Sequence, residues 1–299
     1  MSQTPNPQET PQKSAGGEEK FKFQMVYLLP ILASMLFGLG YASVLLPQSA
    51  PTLPVTPVPP ETSGSDWIVA LYFVVLLACS ATVFYFLLKH NRKRIVTGVI
   101  TLCLTAAAML PSLFFFVALS AYVPFLANWI AIIGLSVAVT ALFVLAIFRL
   151  GSKVRNIAVV CIGGALGIFF SYNIAAISLW SAVLILVFLS IYDIFAVYKG
   201  PVGKIAQSSG LDQLPGLSFS FKEIQMGLGD LVFYSMLTGT MIFSFTQPQS
   251  FLSAAASIVG IMVGSVITFR ILEKKNIFPG LPFPIFLGLA FGLAVGFLM

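Results

Sequence analysis

Charged side chains are scarce in this sequence. They make up 9% of its 299 residues, against 58% hydrophobic residues, and the mean hydropathy is +0.98. A soluble domain carries about 25% charged residues, so a water-soluble core is excluded and the chain is predicted to be a multi-pass integral membrane protein. The net charge of +6 does not indicate nucleic-acid binding, because the basic residues fall in groups between apolar runs.

Histidine and paired cysteines are also lacking. His90 is the only histidine and stands in a basic loop, which excludes HExxH zinc chemistry and argues against a serine–histidine dyad. Cys79, Cys103 and Cys161 lie in apolar runs without CxxC spacing, where cysteine usually behaves as a small buried hydrophobe. The sequence therefore predicts no metal site and no cofactor.

Nine apolar runs are candidates for membrane-spanning helices, which need about 20 mostly apolar residues. They lie at about 24–46, 67–88, 95–118, 126–148, 157–172, 175–197, 224–246, 250–272 and 278–298. The fifth run is short, and Gly163, Gly164 and Gly167 lower its helix propensity. The predicted fold is an all-α polytopic membrane protein with nine transmembrane helices.

The basic residues predict the orientation of these spans. If the nine spans alternate, every Lys and Arg falls on one side of the membrane, and the segments on the other side contain none. Cytoplasmic loops accumulate Lys and Arg. The N-terminus is therefore predicted to be cytoplasmic and the C-terminus extracytoplasmic, in the cell membrane.

Two acidic residues, Asp193 and Asp230, stand inside apolar runs with no intramembrane Lys or Arg to pair with them. A carboxylate in hydrocarbon costs roughly 2.5–3.5 kcal/mol on insertion scales, so such residues are functional candidates. At 1.5 Å per residue, Asp193 lies roughly 9 Å from Lys199 and Asp230 roughly 10 Å from Glu223. The two spans run antiparallel, so both carboxylates are expected at one depth near the cytoplasmic face.

Two aspartates at one depth on consecutive spans can meet. Like charges a few ångströms apart cannot both ionise easily, so one proton is shared by the pair. An ionised carboxylate can then activate water while its protonated partner donates to a scissile carbonyl, which is the chemistry of an aspartic endopeptidase. The alternative is a proton- or cation-coupled transporter or channel, since intramembrane carboxylates also serve in ion pathways.

Glycine and proline mark the surroundings of these aspartates. Gly227 and Gly229 remove side chains just before Asp230, where an extended substrate backbone could approach. The segment Pro279-Gly-Leu-Pro-Phe-Pro284 is expected to be irregular at the same depth and to line the site, or else to begin a helix with proline in its first turn.

These residues resemble a known family. Tyr192-Asp193, Gly227-Leu-Gly-Asp230 and Pro279-Gly-Leu-Pro282 are similar to the YD, GxGD and PAL signatures of the presenilin and signal-peptide-peptidase intramembrane aspartyl proteases. The compact length resembles the archaeal presenilin homologues. Two positions depart from the presenilin pattern: Gly280 stands where that pattern has Ala, and Gln225 where it has Lys.

The resemblance implies that Asp193 and Asp230 are the catalytic pair. It also implies that substrate is positioned by Tyr192, by Leu228 beside Gly227 and Gly229, and by Pro279, Gly280, Leu281 and Pro282. The implied substrates are single-span proteins in the lipid bilayer with their N-termini outside. The chain is expected to act without accessory subunits.

Three regions follow from these assignments. Residues 1–23 are predicted to be a disordered cytoplasmic tail, because they are rich in Pro, Gln, Ser and Glu. Residues 24–172 form an N-terminal bundle, and residues 173–299 form the catalytic region, with a flexible cytoplasmic loop at 200–222.

Glycines also recur at four-residue spacing in the last two spans. Gly260 and Gly264, and then Gly288, Gly292 and Gly296, form ridges of small residues. Such ridges predict close packing between helices, with self-association as the alternative use.

Overall fold

The computed structural model describes residues 23–46, 65–89, 93–175, 178–198, 218–221, 224–274 and 278–298. Most of the predicted tail, at 1–22, and most of the predicted cytoplasmic loop, at 199–217, lie outside these ranges. The predictions of disorder and flexibility for those two segments therefore fall outside the described residues.

The described residues contain nine α-helices, one in each predicted span. Their bounds are α1 Leu29–Leu45, α2 Ser65–Lys89, α3 Lys93–Leu119, α4 Trp129–Phe148, α5 Ser152–Ala175, α6 Leu179–Tyr198, α7 Leu228–Ser244, α8 Gln249–Lys274 and α9 Pro282–Leu298. Seven spans are long and apolar enough to cross a membrane, one of them formed by α1 together with the 3-10 turn Met25–Leu28 before it; α7 and α9 have 17 residues each. At 1.5 Å per residue these two are about 25 Å long, somewhat less than a bilayer's hydrocarbon core.

Helix α5 lies at the centre of the bundle and confirms the fifth predicted span, but the helix is longer than the 157–172 that was predicted. The helix has 24 residues and packs against both α1 and α7. Its glycines allow this packing: a Cβ on Gly164 would lie 2.5 Å from the Ser34 carbonyl oxygen of α1, and one on Gly167 would lie 2.7 Å from the Met236 amide nitrogen of α7. Close tertiary contact thus outweighs the low intrinsic helix propensity of glycine.

The glycine ridges of α8 and α9 lie in close helix contacts, as predicted. A Cβ on Gly264 would come within 2.5 Å of the Cα of Pro284 on α9. Gly288 faces both Leu237 of α7 and Ile261 of α8, with Cβ distances of 2.6 and 2.7 Å. The backbones of α7, α8 and α9 can therefore approach closely, which fixes the start of α9 against α8.

A short β-hairpin precedes α7. Strands β1, Ser218–Phe221, and β2, Ile224–Gly227, pair antiparallel with Phe219 opposite Met226. The sequence prediction placed residues 224–227 in the seventh helix and residues 218–221 in a loop, whereas both stretches are β-strands. The alternation of serine and phenylalanine in β1 has the period of two that favours a strand.

One hydrophobic core joins the N-terminal and C-terminal helices. It contains Met35 of α1, Ile168 of α5, Leu186 of α6, Leu237 of α7 and Ile261 of α8. The regions predicted at 24–172 and 173–299 therefore share a core, and α6 to α9 are held in place by α1 and α5.

Candidate active site

Asp193 belongs to the last turns of α6, five residues before the helix ends at Tyr198. Its side chain is half-buried. The carboxylate atom Oδ2 accepts a hydrogen bond of 3.1 Å from the backbone N–H of Leu281, just before α9. The end of α6 and the start of α9 therefore meet at this carboxylate.

Asp230 is the third residue of α7. The helix begins after Gly227, whose φ of −66° and ψ of 142° are those of an extended chain. This change from strand to helix brings Asp230 to the end of α7 that lies beside the start of α9. A Cβ on Gly280 would lie 3.2 Å from Oδ2 of Asp230, so a larger side chain at position 280 would press on the carboxylate.

The two carboxylates line one cavity of about 220 Å³. Its wall is formed by residues from α6, β2, α7 and α8 and from the segment before α9: Asp193, Val197, Met226, Asp230, Tyr234, Ser265, Thr268, Phe269, Leu272, Phe278 and Gly280. This volume is well above the roughly 30 Å³ that one water molecule occupies in the liquid. No basic side chain is among these described residues, so the charge that lines the cavity comes from the aspartates.

The proline-rich segment is more regular than predicted. Helix α9 starts at Pro282, so Pro282 and Pro284 both lie in its first turn, where proline is well tolerated. The first helical hydrogen bond runs from the N–H of Ile285 to the carbonyl of Leu281. The alternative, a helix that begins with proline in its first turn, therefore holds from Pro282, and only the short stretch before Pro282 is irregular.

That stretch is nevertheless at the site, because Gly280 and Leu281 contact both aspartates. The hydroxyl of Tyr234 on α7 donates a 3.0 Å hydrogen bond to the carbonyl oxygen of Gly280. The carbonyl of Gly280 thus has a hydrogen-bond partner although it lies outside the helix. Tyr234 lies one helical turn after Asp230 and is only 3% exposed.

Several predicted site residues lie outside the cavity wall. The Leu228 side chain points toward α5, where a Cβ on Gly163 would lie 3.5 Å from its Cδ1. The cavity wall also does not include six other predicted site residues, which are Tyr192, Gly227, Gly229, Pro279, Leu281 and Pro282. Gly227 is close to it, since a Cβ there would lie 3.8 Å from Oδ2 of Asp230.

Helix α8 forms a part of the cavity wall that was not predicted from the sequence. Ser265 and Thr268 belong to this wall, together with the apolar residues Phe269 and Leu272. Oγ1 of Thr268 is buried without a hydrogen-bond partner among the described residues. The sequence did carry a signal for this wall: Ser265 and Thr268 are polar residues three positions apart, and residues at that spacing share one helix face.

Comparisons with known proteins agree with this arrangement of helices. Two solved structures of a presenilin family intramembrane aspartate protease, in space groups C222 and P2, align with TM-scores of 0.65 and 0.59. Their sequences are 21% and 20% identical to this one, and each alignment covers 91% of this chain and 99% or 96% of the other chain. At this level of identity the likeness shows a common fold.

A relative is also found by sequence. Presenilin-B of Dictyostelium discoideum is 26% identical over 136 residues, which are 42% of this chain and 28% of that protein. The chain therefore aligns with less than a third of the length of this relative.

The family assignment comes from a sequence model described as signal-peptide peptidase, presenilin aspartyl protease. It matches residues 52–212, which is more than half of the chain and includes Asp193. The chain belongs to the signal-peptide peptidase and presenilin aspartyl protease family.

Proposed function

We propose that the protein is an intramembrane aspartic endopeptidase that hydrolyses peptide bonds within transmembrane segments of other proteins. The observation that carries this proposal is the convergence of Asp193 and Asp230 on one cavity, with no basic residue among the described residues of its wall. A pair of carboxylates can share one proton and divide the roles of base and acid between them.

The proposed reaction uses a water molecule held between the carboxylates. The ionised aspartate removes a proton from the water molecule while the water oxygen attacks the scissile carbonyl carbon. The protonated aspartate donates its proton to the carbonyl oxygen, which gives a tetrahedral gem-diol. When this intermediate collapses, the C–N bond breaks, the aspartate that took the proton from water gives it to the leaving amine nitrogen, and a hydroxyl of the gem-diol returns a proton to the other aspartate. Either aspartate can take either role.

Substrate is proposed to enter beside the start of α7 and α9. The low side-chain bulk at Gly227, Gly229 and Gly280 would let an extended backbone approach Asp230. A role for Pro279, Leu281 and Pro282 is supported by the contact of this segment with Asp193. Tyr192 and Leu228 remain proposed substrate residues on the strength of the family resemblance alone.

The proposed orientation comes from the charge pattern of the sequence, and the proposed substrate class comes from the family resemblance. We propose that the protein lies in the cell membrane with its N-terminus cytoplasmic, and that its substrates are single-span proteins with their N-termini outside. We further propose that residues 173–299 are the catalytic region, because every residue of the cavity wall lies within them. The glycine ridges are used inside the bundle, which supports action as a single chain rather than through self-association.

Cleavage of a purified single-span substrate in liposomes tests the proposal. Wild-type protein is expected to cut the substrate, whereas Asp193→Asn and Asp230→Asn are each expected to abolish cutting while retaining the wild-type melting temperature. The likenesses found lend no support to the transport alternative. Ion flux through proteoliposomes, with no proteolysis by wild type, would favour transport instead.

A further inference from the structure

The peptide group between Gly280 and Leu281 is held at both ends by side chains. Its carbonyl oxygen accepts a 3.0 Å hydrogen bond from the hydroxyl of Tyr234, and its N–H donates a 3.1 Å hydrogen bond to Oδ2 of Asp193. A peptide group is planar, and in the trans form its C=O and N–H point in opposite directions. Fixing the carbonyl with Tyr234 therefore also fixes the direction in which the N–H meets Asp193.

The sequence of α9 explains why this peptide needs partners from outside the helix. The helical donor for the Gly280 carbonyl would be the residue four positions later, which is Pro284 and has no N–H. Leu281 precedes the first helical residue, Pro282, and its N–H is one of the donors that a helix start leaves unpaired. Both ends of this one peptide group are thus free for Tyr234 and Asp193.

Helix α7 brings the necessary hydroxyl to this position. Tyr234 follows Asp230 by four residues, so both side chains lie on one face of α7 and line the same cavity. The Tyr234 side chain is buried, at 3% exposure, and its ring is fixed by packing rather than free to turn away. The helix that carries one aspartate therefore also sets the backbone that orients the other.

We propose that Tyr234 is a positioning residue for the aspartate pair: through the Gly280–Leu281 peptide, its hydroxyl on α7 holds the Leu281 N–H against Asp193 on α6. This inference rests on the proposed protease function. Without the hydroxyl, the Gly280 carbonyl is unpaired and the peptide can rotate. The Asp193 carboxylate then loses a fixed hydrogen bond and part of its alignment with Asp230.

The structure offers a matched control in Tyr41. This tyrosine on α1 is 6% exposed, and its hydroxyl donates a 2.8 Å hydrogen bond to the backbone carbonyl of Pro111 on α3. Tyr41→Phe removes the same kind of bond from an equally buried site that is not part of the cavity wall. Any general cost of losing a buried tyrosine hydroxyl appears in both variants.

The experiment compares wild type, Tyr234→Phe and Tyr41→Phe in cleavage of a purified single-span substrate. Loss of one buried hydrogen bond corresponds to a change of roughly 3- to 10-fold. Tyr234→Phe is expected to lower kcat by about this factor with KM unchanged, and Tyr41→Phe to leave both constants at the wild-type value. Equal losses of kcat in the two variants, or an unchanged kcat in Tyr234→Phe, would overturn the proposal.

A second measurement does not depend on activity. Hydrogen–deuterium exchange of the peptide 278–285 reports mainly on Gly280, Leu281, Phe283 and Ile285, because its three prolines carry no amide hydrogen. Tyr234→Phe is expected to speed exchange there by roughly 3- to 10-fold, with no change in Tyr41→Phe. A fall in kcat with unchanged exchange would mean that Tyr234 acts directly on the substrate.

The two proposals fail in different ways. If wild type cleaves the substrate and Tyr234→Phe matches it in both measurements, positioning by Tyr234 is wrong and the protease function stands. If wild type cleaves nothing, the protease function fails, and unchanged exchange in Tyr234→Phe would still refute the contact that defines the positioning role.

Discussion

The backbone N–H of Leu281 donates a hydrogen bond of 3.1 Å to Oδ2 of Asp193, and so joins the start of α9 to the carboxylate on α6. The neighbouring residue, Gly280, lies against Asp230 of α7. A stretch of two residues thus contacts both aspartates. The properties of this stretch give the first prediction.

Replacing Gly280 tests how tightly the stretch packs against the aspartates. A Cβ at this position would lie 3.2 Å from Oδ2 of Asp230, so alanine requires the carboxylate to move by a few tenths of an ångström. The backbone of Gly280 does not have a left-handed φ, so an L-residue fits its conformation. Gly280→Ala is expected to keep kcat/KM within about five-fold of wild type. Gly280→Val is expected to lose at least about 100-fold, because a branched side chain displaces the carboxylate.

Cleavage rates of purified Gly280→Ala and Gly280→Val, measured with one substrate, check this prediction. Both proteins should melt within a few degrees of wild type, since the change is confined to the cavity edge. Equal activity in the valine variant would show that the close approach of Gly280 to Asp230 is not needed.

Thr268 on α8 gives a prediction in which stability and activity change in opposite directions. The residue lies in the cavity wall, and its hydroxyl is buried with no partner among the described residues. An unpaired buried hydroxyl costs about 1–3 kcal/mol, and valine has nearly the same shape without it. Thr268→Val is therefore expected to leave the melting temperature unchanged or to raise it. Activity is expected to fall roughly 3- to 10-fold if the hydroxyl holds water or the substrate backbone in the cavity.

Thr240 is the control for this substitution. It is fully buried on α7, and its hydroxyl donates a 2.9 Å hydrogen bond to the carbonyl of Met236. Thr240→Val is expected to keep full activity at an equal or lower melting temperature. A Thr268→Val variant that is less stable than wild type and fully active would contradict a role for this hydroxyl in the cavity.

Gly264 gives a prediction about packing. A Cβ there would lie 2.5 Å from the Cα of Pro284, and backbone at that distance must shift. Gly264→Ala is expected to destabilise the protein by about 1–3 kcal/mol, as overpacking of a core does. It should also lower activity, because it moves the start of α9.

Gly134 on α4 is the matched control, since a Cβ there meets no atom within 4 Å. Gly134→Ala is expected to leave activity and melting temperature at or above the wild-type values, because alanine favours a helix. Thermal unfolding of the purified variants in detergent measures the difference. Similar melting temperatures for Gly264→Ala and Gly134→Ala would contradict the close contact of α8 with α9.

The predicted orientation can be measured by labelling single cysteines in cells. Ala121, between α3 and α4, and Lys153, in the first turn of α5, are predicted to lie on opposite sides of the membrane. In a background without native cysteines, Ala121→Cys should react with a membrane-impermeant maleimide from outside. Lys153→Cys should react only after the membrane is opened. The reverse pattern would invert the topology and, with it, the proposed orientation of substrates.

The helices were predictable because their signals are long and local. Each of the nine apolar runs corresponds to one of the described helices, and the four-residue glycine spacing indicated where α8 and α9 pack. The limits of α5 were not predictable, because Gly163, Gly164 and Gly167 look unfavourable for a helix until their contacts with α1 and α7 are known. The hairpin was missed because strands of four residues give a weak signal beside a long apolar run.

The site was predictable to a smaller degree. Two unpaired intramembrane aspartates stand out by their cost in hydrocarbon, and their depth indicated that they could meet. The partner of the Gly280 carbonyl was not predicted, although Pro284, four residues later, shows that this carbonyl needs a donor from elsewhere. That the donor is Tyr234, and that α8 closes the cavity, depends on how the helices pack, which local patterns do not specify.

The central claim is that Asp193 and Asp230 together hydrolyse a peptide bond inside a membrane-spanning helix. The most direct test is mass spectrometry of the fragments formed from a single-span substrate by purified wild type, Asp193→Asn and Asp230→Asn in liposomes. Wild type is expected to give two fragments whose new ends map within the apolar span, and neither variant should give them. Fragments cut only outside the span, or the same fragments at the wild-type rate from either variant, would contradict the claim.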